Sequence, residues 1–168
     1  MATIVVLNGT SSSGKTAIAR AFQDIAPRVF LNFSIDSILY ALPPHVVERL
    51  ERGESVPEFR FIEMVRAFYA CVRELAALGH DLVIDHAVTS EAEAELLRDA
   101  IASHHALIVG LDCPVDVLNA REQQRGNRRP GMAAAQSARI HQWLEYGLRI
   151  DTSRTGVEEA ARMIVDAL

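Results

Sequence analysis

The chain has 168 residues, of which 49% are hydrophobic and 23% are charged, and its formal net charge at pH 7 is −5. This size suits one globular domain without metal or disulfide cross-links, and the acidic balance argues against a general nucleic-acid-binding surface. No apolar run reaches the roughly 18 residues of a membrane-spanning helix. Cys71 and Cys113 show no pairing pattern, and we expect no signal peptide before the first strand. We therefore predict reduced thiols and a cytoplasmic location.

The first predicted elements are a strand, a glycine-rich loop and a helix. Thr3 to Leu7 is a short apolar run typical of a buried parallel strand. Apolar residues recur at helical spacing from Ala17 to Ile25, and Pro27 ends this pattern. In such an arrangement the loop N–H groups and the helix N-terminus bind the phosphates of a nucleoside triphosphate. The loop matches G-x-x-x-x-G-K-[ST] throughout, with Gly9, Thr10, Ser11, Ser12, Ser13, Gly14, Lys15 and Thr16.

Lys15 is the single lysine of the chain, since the other 16 of its 17 basic residues are arginine. A compact ammonium on a flexible stem reaches between two phosphate groups, whereas a planar guanidinium does not fit the same place in a tight loop. The retention of lysine at this one position supports the nucleotide site.

Strand-like runs and helical patterns alternate along the rest of the chain. This alternation predicts an α/β class and one P-loop NTPase domain over residues 1–168, with a five-stranded parallel sheet covered by helices on both faces. Ligands of such sheets bind beyond the carboxyl ends of the strands. The further strands are predicted at Val29 to Phe33, Leu82 to Ile84, Ala106 to Leu111 and Leu148 to Ile150. The further helices are predicted at Ser37 to Leu42, Pro44 to Arg52, Glu58 to Leu78, Ser90 to Ser103, Val115 to Arg125, Met132 to Tyr146 and Val157 to Leu168.

Asp36 follows the second predicted strand, which we expect to lie next to the strand before the glycine loop. Asp is a favoured helix N-cap, so Asp36 fits the start of the helix at Ser37. It also fits a general base that accepts or directs the proton of a substrate hydroxyl near the γ-phosphate. The two roles are compatible.

Asp85 ends the third predicted strand and His86 follows it. An acid at this place beside a glycine loop typically serves Mg²⁺, with the Thr16 hydroxyl as the other protein ligand. A plain strand-end cap is the alternative. Single histidines in such turns are mostly hydrogen-bonded structural groups, and we leave the role of His86 open.

A purely basic series, Arg121, Arg125, Arg128 and Arg129, surrounds a segment rich in helix breakers at Gly126 to Gly131. It fits a lid at about residues 126–131 that closes guanidinium groups over a triphosphate. A solvated charged surface is the alternative.

Asp151 and Thr152 follow the last predicted strand, where a turn can bind adenine through its backbone or simply cap the next helix. A guanine-binding Asn-Lys-x-Asp motif is impossible without a second lysine, which favours ATP over GTP. The remaining histidines show no metal-ligand spacing.

These residues together resemble the chloramphenicol phosphotransferase-like family of P-loop kinases over nearly the whole chain. The similarity is weakest between about Pro43 and Ala77. It is carried by Leu7-Asn8-Gly9 before the loop, Asp36-Ser37 with Ala41-Leu42-Pro43, Pro57-Glu58-Phe59-Arg60 and Arg121-Glu122 with Arg125-Gly126-Asn127-Arg128. The tail is the most specific match: Gly131-Met132-Ala133-Ala134, Gln136, His141, Glu145-Tyr146 and Asp151-Thr152.

The resemblance implies transfer of the γ-phosphate of ATP to a hydroxyl on a small molecule. It also implies that Asp36 is the base and that Arg128 assists at the phosphates. The chain departs from the family pattern at Asp85-His86, where the family has two adjacent acids. The acceptor site is expected within about residues 36–78, so the identity of the acceptor does not carry over, and chloramphenicol is one candidate.

The leading functional hypothesis is a small-molecule O-kinase that uses ATP and Mg²⁺. In it, Lys15 and the loop bind phosphates, Thr16 and Asp85 support the metal, and Asp36 directs the acceptor. Arg125 and Arg128 offset charge, and Arg121, Asp151 and Thr152 help to bind the nucleotide. Nucleic acid and membrane are not expected as partners. A nucleotide-binding regulatory module with a protein partner and a nucleic-acid 5′-hydroxyl kinase are the alternatives. The acidic charge disfavours the second, and the oligomeric state stays open.

Overall fold

A computed structural model of the chain describes residues 1–125 and 131–168, with only the backbone described for Arg125 and Met132. Its strands are β1 (Thr3–Gly9), β2 (Phe30–Ser34), β3 (Asp81–Asp85), β4 (His105–Asp112) and β5 (Leu148–Asp151). Its helices are α1 (Lys15–Ile25), α2 (Ile35–Leu39), α3 (Pro44–Glu51), α4 (Phe61–Ala77), α5 (Glu91–Ile101), α6 (Val115–Arg125), α7 (Met132–Ser137) and α8 (Val157–Asp166). No helix in these two ranges is long and apolar enough to cross a membrane.

The five strands form one parallel sheet in the order β2-β3-β1-β4-β5. This confirms the predicted α/β class and the five-stranded parallel sheet. The expectation that β2 lies next to β1 is wrong, because β3 pairs with both and separates them. Asp36 follows β2, so β3 lies between its strand and the strand that leads into the glycine loop.

Both faces of the sheet are buried, as alternation along β1 shows. Ile4 and Val6 pack with residues of α4 and α5 in one apolar cluster. Val5 and Leu7 pack with residues of α1 and α8 in a second cluster on the other face. Successive side chains of a strand point to opposite faces, so an uninterrupted apolar strand requires helices on both sides. The predicted helices on both faces are confirmed.

The predicted helix from Met132 to Tyr146 is wrong in length, because α7 ends at Ser137. The chain after α7 turns back over β1, where the Asn8 side-chain amide donates to the Ile140 carbonyl and to the Tyr146 hydroxyl, both at 2.7 Å. Apolar spacing alone favoured one long helix, and these contacts of a buried asparagine override that preference.

Asn8 is expected to be a strong determinant of stability. Its side chain is fully buried, and its Oδ1 accepts from the Val88 N–H at 2.8 Å while its amide donates to Ile140. Asn8→Leu leaves the buried Val88 N–H without its partner and removes one of two donors to the Ile140 carbonyl, to which the Tyr146 hydroxyl also donates at 3.2 Å. We expect the free energy of unfolding to fall by about 1–3 kcal/mol, the cost of one unpaired buried group. Denaturant unfolding measures this, and Gln142→Leu, which removes one exposed hydrogen bond, should change it by less than about 0.5 kcal/mol. Equal losses in both variants would contradict the role of Asn8.

Candidate active site

The loop between β1 and α1 closes around the Lys15 side chain. Nζ donates to the carbonyls of Gly9 and Thr10 at 2.9 and 2.8 Å. A Cβ at Gly9 would lie 2.6 Å from Ser13 Oγ and 3.1 Å from the Leu111 carbonyl oxygen, so only glycine fits there. Gly14 has φ 95°, a left-handed conformation that glycine adopts without strain. The motif thus forms a compact loop between strand and helix, as its spacing predicts, and phosphate binding by this loop stays a prediction.

Ser12 and Ser13 complete this loop with buried hydroxyls. Ser12 has φ 63°, which is uncommon for a residue other than glycine. The Oγ atoms of both serines are buried and have no hydrogen-bond partner among the described residues. Buried polar groups rarely stay unsatisfied, so phosphate oxygens are fitting partners for these two hydroxyls.

Thr16 and Asp85 meet at the start of α1. Thr16 Oγ1 donates to Asp85 Oδ2 at 2.7 Å, and Lys15 Nζ lies 3.8 Å from Asp85 Oδ1. The Asp85 side chain is 8% exposed, so the carboxylate is directed into the site and not to solvent. A hydroxyl and a carboxylate are oxygen ligands of the kind that Mg²⁺ prefers, usually together with phosphates and water. The residues present therefore fit a magnesium ion bound with a nucleotide.

Asp36 lies in the first turn of α2, and Ser34 is the N-cap of that helix. Ser34 Oγ accepts from the Asp36 N–H at 3.2 Å. The expectation that Asp36 caps a helix starting at Ser37 is therefore wrong, since α2 begins at Ile35 and another residue caps it. Asp36 instead lines a cavity with Thr16 and Asp85.

This first cavity has a volume of about 240 Å³ and lies between the glycine loop, α2 and α4. One part of its wall is polar and next to the loop, and the other part is apolar. The described helix α3 does not line it, so within residues 36–78 the wall comes from α2 and α4. The wall consists of Ser11, Ser12, Gly14, Lys15, Thr16, Ser34, Ile35, Asp36, Leu39, Phe61, Met64, Asp85, His86, Ala87 and Gln136.

A second cavity of about 430 Å³ lies on the other side of the loop. Arg121 of α6 lines this cavity and donates to the Thr152 carbonyl at 2.7 Å and to the Thr152 hydroxyl at 3.4 Å. Asp151 does not line it; its carboxylate accepts from the Ser153 N–H and hydroxyl, which lowers the pKa of Asp151. The second cavity is lined by Ser12, Ser13, Gly14, Ile18, Arg121, Gln124, Thr152, Thr155, Gly156 and Val157.

His86 is 2% exposed and forms part of the wall of the first cavity. Its Nδ1 lies 2.7 Å from the Tyr69 hydroxyl. Burial, and secondarily the Lys15 charge, lower the pKa of His86 to about 3, so the ring is neutral at physiological pH. Its Nε2 is buried and has no partner among the described residues.

Glu122 and Gln136 connect the site to α7, and sequence reasoning gave neither a role. Glu122 is buried and accepts from the N–H groups of Gly131 and Ala133 at 2.7 and 3.2 Å. Gln136 Oε1 accepts from the Ser11 N–H of the glycine loop at 2.6 Å. Both residues fall in the stretches that carry the family resemblance, and this was the only sequence feature that could have indicated a role. No known residue spacing predicts their contacts with the loop and with α7.

Part of the predicted lid lies outside the described residues. This applies to Arg128, Arg129 and the segment 126–130, and to the side chain of Arg125. Of the basic series, Arg121 is the member whose side-chain contacts are described.

Comparison with known proteins gives one family and one shared fold. The model of the chloramphenicol phosphotransferase-like protein family matches residues 2–168. A Mycobacterium tuberculosis protein named as an O-phosphotransferase is 28% identical to this chain over 181 aligned positions. The alignment covers 95% of this chain and 79% of the relative.

Two solved kinases share the fold. An unliganded sugar kinase from Janibacter sp. HTCC2649 has a TM-score of 0.78 at 20% identity, covering 99% of this chain and 94% of its own. The Mycobacterium tuberculosis APS kinase with AMPPNP and APS has a TM-score of 0.70 at 17% identity, covering 99% and 96%.

Proposed function

Because the chain belongs to the chloramphenicol phosphotransferase-like family and has the P-loop kinase fold, we propose that it is an ATP-dependent kinase acting on a small molecule. It would transfer the γ-phosphate to a hydroxyl group, with Mg²⁺ as the metal. A cytoplasmic location belongs to the same proposal. Chloramphenicol is one candidate acceptor, in which case the activity would confer antibiotic resistance.

The observation that carries this proposal is the pair of cavities on either side of one glycine loop. Both cavities include Ser12 and Gly14 in their walls. One wall holds Arg121 and suits a nucleotide base and ribose, whereas the other holds Asp36 and an apolar surface. A regulatory nucleotide switch has little use for a second cavity with an acceptor-directing carboxylate. The arrangement therefore favours two-substrate transfer.

The chemistry assigned to the loop is phosphate binding. Lys15 Nζ already lies inside the loop, from which it would contact the β- and γ-phosphates. Thr16 and Asp85 would hold Mg²⁺, which offsets phosphate charge when it is bound. Phosphoryl transfer depends mainly on positioning and on such charge stabilisation.

Asp36 would act on the acceptor. The acceptor oxygen forms a bond to the γ-phosphorus as the bond from that phosphorus to the β-phosphate oxygen breaks, and ADP leaves. The hydroxyl proton passes to the Asp36 carboxylate. This assignment fits the position of Asp36 in the wall that Thr16 and Asp85 share.

Arg125 and Arg128 would offset charge on the transferring group, as members of a lid over about residues 126–131. Arg128→Ala should lower kcat by on the order of 10²-fold while ATP affinity changes much less, because help to developing charge acts mainly in the transition state. Arg162→Ala on the exposed side of α8 is the matched control and should leave both constants unchanged. Amide exchange in 126–131 should slow when AMPPNP binds. Unchanged exchange with a normal kcat in Arg128→Ala would support the solvated-surface alternative.

The direct test is a screen of hydroxylated metabolites and antibiotics, including chloramphenicol, with labelled ATP and mass spectrometry. A phosphorylated product supports the proposal. ATP binding without any phosphorylated acceptor would favour the regulatory module, and labelled 5′ ends of oligonucleotides would favour the nucleic-acid kinase.

A further inference from the structure

A side chain of α7 reaches the glycine loop. Gln136 is half-buried, and its Oε1 accepts from the Ser11 N–H at 2.6 Å. A backbone N–H group only donates, so the amide oxygen, and not the amide nitrogen, faces the loop. The two residues are 125 positions apart in the chain, so no local pattern of the loop or of α7 produces this contact. It holds the first half of the loop from outside the motif.

The position of α7 depends in turn on Glu122 of α6. The helix α7 has six residues, and its N-cap Gly131 supplies no side-chain cap. So short a helix is not stable without tertiary contacts. The buried Glu122 carboxylate accepts from the N–H groups of Gly131 and Ala133, which have no partner within the helix. Glu122 therefore fixes the start of α7, and Gln136 joins its other end to the loop.

Gln136 and Ser11 lie on the side of the loop that Asp36 faces. Both line the first cavity together with Asp36, and neither is among the described residues that line the second cavity. In the proposed reaction, the γ-phosphate and the acceptor would meet in the first cavity, whereas the base and ribose would occupy the second. A displacement of Ser11 would therefore change the geometry of transfer more than the binding of the nucleotide.

Resting on the proposed kinase function, we infer that Gln136 is a positioning residue of phosphoryl transfer and that Glu122 acts through it. Gln136 holds the Ser11 backbone, and with it the side of the loop where the γ-phosphate meets the acceptor hydroxyl. Transfer needs the reacting groups in near-contact geometry, and a displacement of about 1 Å can cost on the order of 10²-fold in rate. Gln136 acts through Ser11 and not on the reacting atoms.

The contact itself is tested without turnover, by hydrogen exchange of the Ser11 amide in the nucleotide-free protein. Gln136→Met keeps the length of the side chain and removes the oxygen acceptor. It should speed this exchange by roughly tenfold, the worth of one hydrogen bond. Gln142→Met, at an exposed glutamine outside both cavity walls, is the matched control and should leave it unchanged. Equal exchange of the Ser11 amide in Gln136→Met and in the unmodified protein would overturn the inference.

The positioning role is tested by the separate effects on rate and on binding. Gln136→Met should lower kcat by roughly 10–10²-fold, while the Kd for AMPPNP changes by less than about threefold, as expected for a residue that acts on the transfer step. Gln136→Asn keeps the amide but is one methylene shorter, so it should lose the Ser11 contact and behave as Gln136→Met does. A loss of AMPPNP affinity as large as the loss of kcat would contradict the role.

The part assigned to Glu122 is tested by combining variants. Glu122→Gln removes the charge that holds the start of α7 and should also lower kcat. Because both residues would act through the same displacement of Ser11, the double variant Glu122→Gln/Gln136→Met should transfer about as fast as the slower single variant. Losses that multiply would show that Glu122 does not act through Gln136.

Melting curves accompany every rate. If Gln136→Met does not fold, Gln136→Asn decides by the same two measurements. Transfer by the unmodified protein to none of the screened acceptors would refute the kinase function and this role with it. An active kinase in which folded Gln136→Asn has an unchanged kcat would refute this role alone.

Discussion

Lys15→Arg is expected to abolish phosphoryl transfer almost as fully as Lys15→Ala does. The ammonium lies 2.9 and 2.8 Å from two loop carbonyls, and the side chain is 11% exposed. A guanidinium is larger and planar, and cannot occupy this space and reach the phosphates from it. We expect kcat/KM to fall by on the order of 10²–10³ or more in both variants.

The matched control is Arg20→Lys, the reverse exchange on the exposed side of the same helix, α1. It should leave ATP affinity and turnover unchanged. Isothermal titration with AMPPNP and the transfer assay measure the two quantities. Full activity of Lys15→Arg would contradict the claim that position 15 requires a compact ammonium.

Asp36→Asn is expected to reduce transfer by on the order of 10²–10⁴, the usual effect of a positioned base, or less if the transition state is loose. The substitution keeps the shape of the side chain and removes its charge and its proton-accepting oxygen. The substitution leaves the N-cap of α2 unchanged, because the capping residue is Ser34. The melting temperature and the affinity for ATP should therefore change little.

The control for Asp36 is Asp99→Asn on the exposed face of α5. It removes the same charge far from both cavities and should leave the rate unchanged. A stable Asp36→Asn protein with an unchanged rate would show that the carboxylate does not act on the acceptor. The melting curve has to accompany the rate, so that loss of fold is recognised as such.

Local patterns in the sequence were sufficient to predict the glycine loop between β1 and α1 and the fold class. The apolar run before Gly9 and the helical spacing after Thr16 predict β1 and α1, because these features depend on neighbouring residues. Thr16 and Asp85 were predicted as protein ligands of one magnesium ion. Their side chains lie in contact at 2.7 Å, and the metal role itself stays a prediction.

Features that depend on distant contacts were missed. Nothing local in the β2 segment indicates that β3 lies between it and β1. The turn after Ser137 depends on Asn8, more than a hundred residues away in the chain. The burial of His86, whose Nδ1 contacts the Tyr69 hydroxyl of α4, is visible only in the folded chain. Tertiary packing, and not composition, sets each of these.

The assignment of transfer chemistry is tested most directly with ATP that carries ¹⁸O on its γ-phosphate. In the presence of hydroxylated acceptors, we expect a product that has gained one labelled phosphoryl group, with one molecule of product formed for each ADP. Asp36→Asn should form this product far more slowly at the same nucleotide occupancy. ADP and labelled inorganic phosphate without any phosphorylated acceptor, at rates that Asp36→Asn does not alter, would contradict this assignment.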